Sequence, residues 1–298
     1  KEQQELAQLR AEVAELKALM QQQQQVQQQQ AVQIQQVKAQ PAPVKAESPL
    51  SSFKSKSGAD INLYGFVRGD ANYIIEGQDD DFNKVASSDG QTKDKLLATA
   101  KTTRLGLDFN TNVAGDNKLG GKVEVDFAGS TTDSNGALRI RHAYLTYNNW
   151  LFGQTTSNFL SNHAPEMIDF ATNVGGGTAA RIPQVRYGFN LAPATKLFIS
   201  AEEGDSSGKN IKYSVPNLTA KLTQGFADGK GSVSARALVE NYKSADDSDT
   251  AWGLAAGVNY QVMDPLKISA DVSYVQGNSN YLYGSNTAFY VNPVNGNI

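Results

Sequence analysis

Short runs of alternating residues fill most of this 298-residue chain, and the connections between them switch in turn between very short and very long. From Asp60 onward Ile61, Leu63, Gly65, Val67 and Ala71 alternate with Asn62, Tyr64, Phe66, Arg68, Asp70 and Asn72. In a strand these two sets stand on opposite faces. Similar runs cover Thr102–Asn112, Lys118–Ser130, Leu138–Asn149, Trp150–Thr156, Gln184–Leu191, Lys196–Glu203, Leu218–Phe226, Ser232–Tyr242, Ala251–Val262 and Leu266–Gln276. Weaker ones lie at Lys209–Val215 and Ala288–Val291. Turns of a few residues fall at Val113–Asn117, Asn148–Asn149, Ala192–Thr195 and Met263–Pro265. Long insertions separate them at Gly77–Lys95, Thr131–Ala137, Ser157–Ala180, Gly204–Asn210, Lys243–Thr250 and Asn278–Thr287.

That rhythm predicts an all-β fold, an antiparallel transmembrane β-barrel whose strands of about ten residues cross the hydrocarbon layer at a tilt. Closure would leave no unpaired backbone in lipid. Tyr73, Tyr144, Trp150, Tyr187, Tyr260 and Tyr274, near strand ends, are expected to form the interfacial girdles. The alternative is a soluble β-sandwich, which has the same period of two. A sandwich gives no reason for systematically short turns at one end, but period alone does not say which face is inside.

Composition removes other classes. No run of about twenty apolar residues exists, so any membrane crossing falls to strands. A formal net charge of −3 argues against a nucleic-acid partner. Cysteine is absent, which excludes disulfides, thiolate zinc sites and cysteine nucleophiles. The two histidines, His142 and His163, have no ligand-spaced partner for a metal, and Ser161 two residues before His163 makes no triad. No enzyme, cofactor or metal site is therefore expected. The acidic clusters Asp79–Asp81 and Asp246–Asp249 suit either divalent cations at a rim or plain solubility in exposed loops. The Gly175–Gly177 run lacks the strand, helix and lysine of a phosphate loop.

Residues 1–40 read differently. Leu6, Leu9, Val13, Leu16 and Met20 recur at three- and four-residue steps, the seam of an α-helical coiled coil, with Glu and Lys between them. So narrow a stripe is expected to meet copies of itself, or else to lie along its own barrel. The glutamine-rich tract from Gln21 to Gln40 extends that helix or acts as a spacer. Pro41, Pro43 and the Ser/Lys-rich stretch after them make 41–59 a linker, leaving 60–298 as the barrel.

Several runs carry a resemblance. Asn62-Leu-Tyr-Gly-Phe-Val-Arg-Gly-Asp70 resembles the opening strand of general bacterial porins, and Thr103-Arg-Leu-Gly-Leu-Asp108 their second strand. Arg141-His-Ala-Tyr-Leu-Thr-Tyr147 followed by Leu151-Phe-Gly-Gln154 is similar to their fourth and fifth. With the amino-terminal heptads, glutamine tract and proline linker, the chain looks most like the DcaP-type porins of Acinetobacter. The resemblance implies a homotrimer of sixteen-stranded barrels in the bacterial outer membrane, in contact with lipid and lipopolysaccharide, with the amino-terminal segment in the periplasm. It also implies passive diffusion of small anionic solutes such as dicarboxylates. The rival reading is a structural protein that ties the envelope together through its coiled coil. Against the family pattern, the chain ends on Asn292-Pro-Val-Asn-Gly-Asn-Ile298 rather than an aromatic strand, and its runs number about eleven to thirteen. Its carboxy-terminal strands are expected to be missing.

Selectivity in such a channel comes from charged side chains facing the lumen. Arg68, Arg104, Arg139, Arg141, Arg181, Arg186 and Arg236 lie in or beside strand runs. Alternation sets Arg68 opposite Leu63 and Val67, and Arg104 opposite Leu105 and Leu107. A charge facing lipid at mid-bilayer costs roughly 2–4 kcal/mol, so these arginines are expected inside. Guanidinium suits carboxylates, being planar, bidentate and permanently charged. Arg104 and Arg141 are the leading solute contacts; the plainer alternative pairs the arginines with Asp70, Asp108, Glu124, Asp126 and Glu202. Arg139 and Arg141 share a face with Ala143, which puts His142 and Tyr144 outside, where the resemblance implies a subunit contact. The segment from Asn158 to Ala180 stands where porins fold their third loop, so the resemblance implies that it enters the channel, with Glu166 and Asp169 opposing the arginines across the constriction.

Overall fold

The computed structural model describes residues 52–56, 58–82, 90–129, 136–161, 166–167, 173–174, 181–204, 211–244, 247–277, 281–282, 292 and 294. The chain divides into two compact units, Lys1–Pro49 and Leu50–Ile298. The first, with the predicted coiled coil, lies outside the described residues.

Among the described residues of the second unit, all strand pairs are antiparallel. Its strands are β1 (Ser52–Lys54), β2 (Asp60–Phe66), β3 (Asp70–Gly77), β4 (Thr92–Thr99), β5 (Arg104–Val113) and β6 (Asn117–Asp126). Then come β7 (Arg139–Tyr147), β8 (Trp150–Thr156), β9 (Glu166–Met167), β10 (Asn173–Val174), β11 (Arg181–Ala192) and β12 (Thr195–Glu202). The last are β13 (Ile211–Lys212), β14 (Asn217–Phe226), β15 (Gly231–Ser244), β16 (Asp247–Met263) and β17 (Leu266–Gln276). One sheet runs β1-β2-β5-β6-β7-β8-β11-β12-β14-β15-β16-β17, with β13 also on β15. No α-helix occurs among the described residues, and no helix is long and apolar enough to cross a membrane.

The stretch read as linker holds a strand. β1 pairs with β2 from Ser52↔Asn62 to Lys54↔Asp60, closing a tight turn in which Gly58 adopts φ +83° and the Ala59 amide donates to Ser55 Oγ at 3.0 Å. A three-residue strand is too short to leave an alternation signal. Strands β3 and β4, which flank the expected long insertion Gly77–Lys95 and take its last residues into β4, form a hairpin of their own. Phe66↔Arg104 ends the β2–β5 pairing and Asp70↔Thr99 starts β3–β4, so the two are one long ribbon interrupted by a single-residue register shift.

Burial settles which face is inside, and the order is inverted relative to a soluble sandwich. Buried positions are polar: Glu124, Asp126, Ser200, Glu202, Thr219 and Arg236. Exposed ones are large and apolar: Val123, Leu145, Phe152, Ile199, Leu254 and Val272. Neighbours in sequence show the reversal, with Glu124 6% and Val123 51% exposed. An apolar surface spread over so many strands is stable against lipid, not against water.

Aromatics bound this outer band. At the short-turn end Trp150 packs on Tyr187 (4.7 Å between ring centroids) and Phe226 on Tyr260 (5.6 Å). Toward the other end Trp252 meets Tyr274 at 5.3 Å. Eight residues separate Trp252 from Tyr260 on β16, a rise of about 27 Å along the strand. At the usual tilt that is about 21 Å of height, close to the apolar band of an outer-membrane barrel. Two expected girdle residues fall elsewhere: Tyr73 stands on the β3–β4 hairpin, and Tyr144 turns inward.

Candidate functional site

The inner wall is built by pairing, since residues opposite each other on neighbouring strands share a face. Phe66, Arg104 and Asp126 align across β2, β5 and β6, and Asp126 continues to Arg139 on β7. Arg139 clasps Asp126 with both prongs, Nε to Oδ1 at 2.8 Å and Nη2 to Oδ2 at 2.6 Å. Arg141 bridges two carboxylates, donating to Glu124 at 2.7 Å and to Asp126 at 2.8 Å. Arg104 lies 3.5 Å from Glu124 and its guanidinium sits over the Phe66 ring at 5.3 Å. Glu124 also accepts from the Tyr64 hydroxyl at 2.7 Å.

Tyr64 reaches Glu124 across β5 because residue 106 is glycine. A Cβ there would lie 2.1 Å from the Tyr64 ring. Lys122 stacks over the other side of the ring at 4.9 Å.

Alternation misplaced His142 and Tyr144. Pairing runs Lys122↔Tyr144, Glu124↔His142, then Val125↔Ile140 and Asp126↔Arg139, so one extra residue, Arg141, is inserted in β7. A β-bulge of this kind shifts the parity of one strand. Arg139, Arg141, His142 and Tyr144 therefore all face inward. His142 Nδ1 lies 2.9 Å from the hydroxyl of Thr155, an inner residue of β8. The predicted outer placement of His142 is corrected.

Other predicted residues fare differently. Arg68 is not on a barrel strand. It lies between β2 and β3, and Asp70 holds its guanidinium at 2.7 and 2.9 Å. Arg181 stands at the start of β11 with its charge nearest those of Arg141, Arg139, Asp126 and Arg104. Arg186 faces inward opposite Ser200 and donates to Gln184 Oε1 at 2.9 Å and to the Thr156 carbonyl at 2.6 Å. Glu166 belongs to the small β9–β10 pair, opposite Val174. Asp169 and His163 lie outside the described residues. Asp108, offered as an arginine partner, accepts from Asn62 at 3.3 Å.

The start of the predicted inserted segment does enter the interior. Ser157 Oγ and the Asn158 amide donate to the two oxygens of Glu202 on β12, at 2.7 and 2.8 Å. Asn158 Nδ2 reaches the Phe198 carbonyl at 3.0 Å. Ser161 Oγ donates to Asp271 on β17 at 2.6 Å, and Arg236 on β15 donates to the Phe159 carbonyl at 3.3 Å. Arg236 and Asp271 form a 2.6 Å ion pair with no side-chain exposure at either end. Arg236 is thus spent on anchoring. Phe159, Leu238 and Tyr281 pack as an apolar cluster against Ile182, Ala255 and Val275. The inner positions of β16 facing them are small, including Ala251, Gly253 and Ala255. Residues 157–161 thus touch β12, β15 and β17 from within, so the sheet wraps round them.

Glu202 is fully buried with no ion pair among the described residues, held by Ser157, the Asn158 amide, Thr219 at 2.8 Å and the Tyr281 hydroxyl at 3.4 Å. Burial pushes the Tyr281 hydroxyl above the ordinary tyrosine range, with Glu202 adding to the effect, so it stays protonated as a donor. At the rim, Asp79 takes Lys95 at 2.7 Å and Asp81 pairs with Lys101. No cluster able to hold a metal occurs among the described residues.

A chain that turns its charges inward and its aliphatic side chains outward, and crosses with strands alone, is an outer-membrane β-barrel porin. It belongs to the DcaP outer membrane protein family, whose model matches residues 4–295. The crystal structure of the outer membrane channel DcaP of Acinetobacter baumannii is 70% identical, with a TM-score of 0.74 over 82% of this chain and 71% of that one. OmpT of Vibrio cholerae in its trimer form also aligns, at 13% identity and a TM-score of 0.40, over 73% of this chain and 77% of that one. So does an anion-selective porin from Comamonas acidovorans, at 13% identity and 0.39, over 73% and 79%. Those two scores are too low to bear on selectivity or assembly. Among curated proteins none matches.

Proposed function

We propose that this porin is a passive diffusion channel preferring small anionic solutes, dicarboxylates among them, and that it acts as a homotrimer without a catalytic step. The observation that carries the preference is the charge count on the inner face of β5–β7 together with Arg181 at the start of β11. Five cations, Arg104, Lys122, Arg139, Arg141 and Arg181, stand with three carboxylates, Asp108, Glu124 and Asp126, which leaves a surplus of two positive charges. Rings of fixed positive charge in a narrow aqueous passage favour anions. The carboxylates also set the arginines at fixed positions, so the salt-bridge lattice and the anion path are one arrangement.

In a planar bilayer with a potassium chloride gradient, the intact protein is expected to show stepwise conductance and an anion-selective zero-current potential. Glu124→Gln raises the local surplus and is expected to move that potential further in the same direction. Cation selectivity in the parent channel would refute the reading.

A further inference from the structure

Lys221 was not among the residues singled out from the sequence, yet it faces the interior. On β14 it pairs with Phe198 of β12 and Arg236 of β15, on the same side as Asn217 and Thr219 and opposite the exposed Leu218 and Leu222. Most of the inner arginines are spent on carboxylates. Arg139, Arg141 and Arg104 share Glu124 and Asp126, and Arg236 is closed on Asp271. Lys221 has no hydrogen bond and no ion pair among the described residues. The charges nearest it are those of Arg236 and Arg186, with Asp271 and Glu202 beyond.

Arg186 stands across β12 from it. Arg186 pairs with Ser200, Ser200 with Thr219, and Lys221 is two residues along from Thr219. Two strand spacings and a two-residue offset put the Cα atoms about 12 Å apart. Both side chains project from the same face into the lumen, so at that spacing their head groups can reach one small anion from two sides. Arg186 bonds to neutral acceptors, the Gln184 amide oxygen and the Thr156 carbonyl, and the Glu202 carboxylate acts on it without a direct bond among the described residues. The inserted segment borders the pair, with Asn158 on the Phe198 carbonyl and the Phe159 carbonyl on Arg236. Neither cation touches a carboxylate among the described residues, and the buried Glu202 acts on both only at a distance, so holding the two charges here is costly unless an anion or water joins them.

We propose that Arg186 and Lys221 form a second anion station on β11–β14, across β8 from the Arg104–Arg141 cluster on β5–β7, taking one carboxylate of a permeating dicarboxylate. The station rests on the anion-channel reading above and extends it. Guanidinium supplies two directed donors and the ammonium a third, so a carboxylate is held from two sides. Lys221 is thereby a specificity-determining residue rather than a structural one.

The test uses the full chain in planar bilayers with succinate as the probe, measuring block of chloride current and the zero-current potential. Lys221→Gln is expected to keep the heat-modifiable mobility of the folded barrel, while weakening succinate block roughly threefold to tenfold and reducing anion preference. Lys221→Arg is expected to restore both. Lost mobility in Lys221→Gln, without rescue by arginine, would assign the lysine a structural role and overturn the proposal. Unchanged block and selectivity in Lys221→Gln, with an anion-selective parent, would overturn the station alone. A cation-selective parent would instead remove the reading on which it stands.

Discussion

Replacing Asp271 with asparagine removes one charge from a pair that no solvent reaches. Arg236 Nη2 lies 2.6 Å from Asp271 Oδ2, and the same carboxylate accepts from Ser161 at 2.6 Å and from Ser273 at 3.2 Å. Asparagine keeps the shape but leaves the guanidinium charge unpaired in the interior. Removing one partner of a buried ion pair costs about 3–5 kcal/mol, whereas replacing both by apolar groups of similar volume is often neutral. The double variant Arg236→Met with Asp271→Leu is therefore expected to lose much less stability than Asp271→Asn. Because Ser161 and the Phe159 carbonyl are tethered to the same pair, Asp271→Asn should also loosen the inserted segment and raise open-channel noise. Heat-modifiable mobility after graded heating or urea reads the stability, and single-channel recording reads the noise. The reasoning fails if Asp271→Asn melts with the parent, or if the double variant is as damaged as the single one.

Two further outcomes follow from the inner wall. Gly106→Ala places a methyl group against the Tyr64 ring and should pull the hydroxyl off Glu124, costing about 1–3 kcal/mol in the same heating assay. Tyr281→Phe deletes a buried donor to Glu202 and an acceptor for Asn217, a loss of about 1 kcal/mol near neutral pH. Since the folded chain holds the Tyr281 proton more tightly than an unfolded one, its contribution is full below the ordinary tyrosine value of about 10 and fades as pH rises beyond it. Comparing melting of parent and Tyr281→Phe at neutral and strongly alkaline pH should therefore show less alkaline loss in the variant.

Much of this arrangement was legible in the sequence because a half-lipid, half-water sheet writes its two faces at a period of two. The inward turn of Arg104, Arg139, Arg141 and Arg186 follows from that period, whereas the entry of the chain into the interior after Thr156 was implied by the resemblance to porins and not by the alternation. Two kinds of information were not written there. Parity fails at a bulge, and the single extra residue at Arg141 carried His142 and Tyr144 to the other face. Pairing depends on register: Arg104 and Asp126 are twenty-two positions apart in sequence and become opposite only when β5 and β6 align. Without register, arginines already neutralised could not be told from cations left over. Lys221 shows the same alternation, between Leu218 and Leu222 on one side and Thr219 and Thr223 on the other. It was passed over because arginine alone was weighed as the anion ligand.

The face assignment on which everything rests can be tested at one pair of neighbours, helped by the absence of native cysteine. Lys122 is an inner residue opposite Tyr144, and Val123 an exposed outer one. In Lys122→Cys a charged, water-soluble thiol reagent added to open channels is expected to react and reduce the current. In Val123→Cys the same reagent should leave the current unchanged, while a membrane-soluble maleimide labels the thiol. Blockade through position 123 with none through position 122 would contradict the inverted barrel.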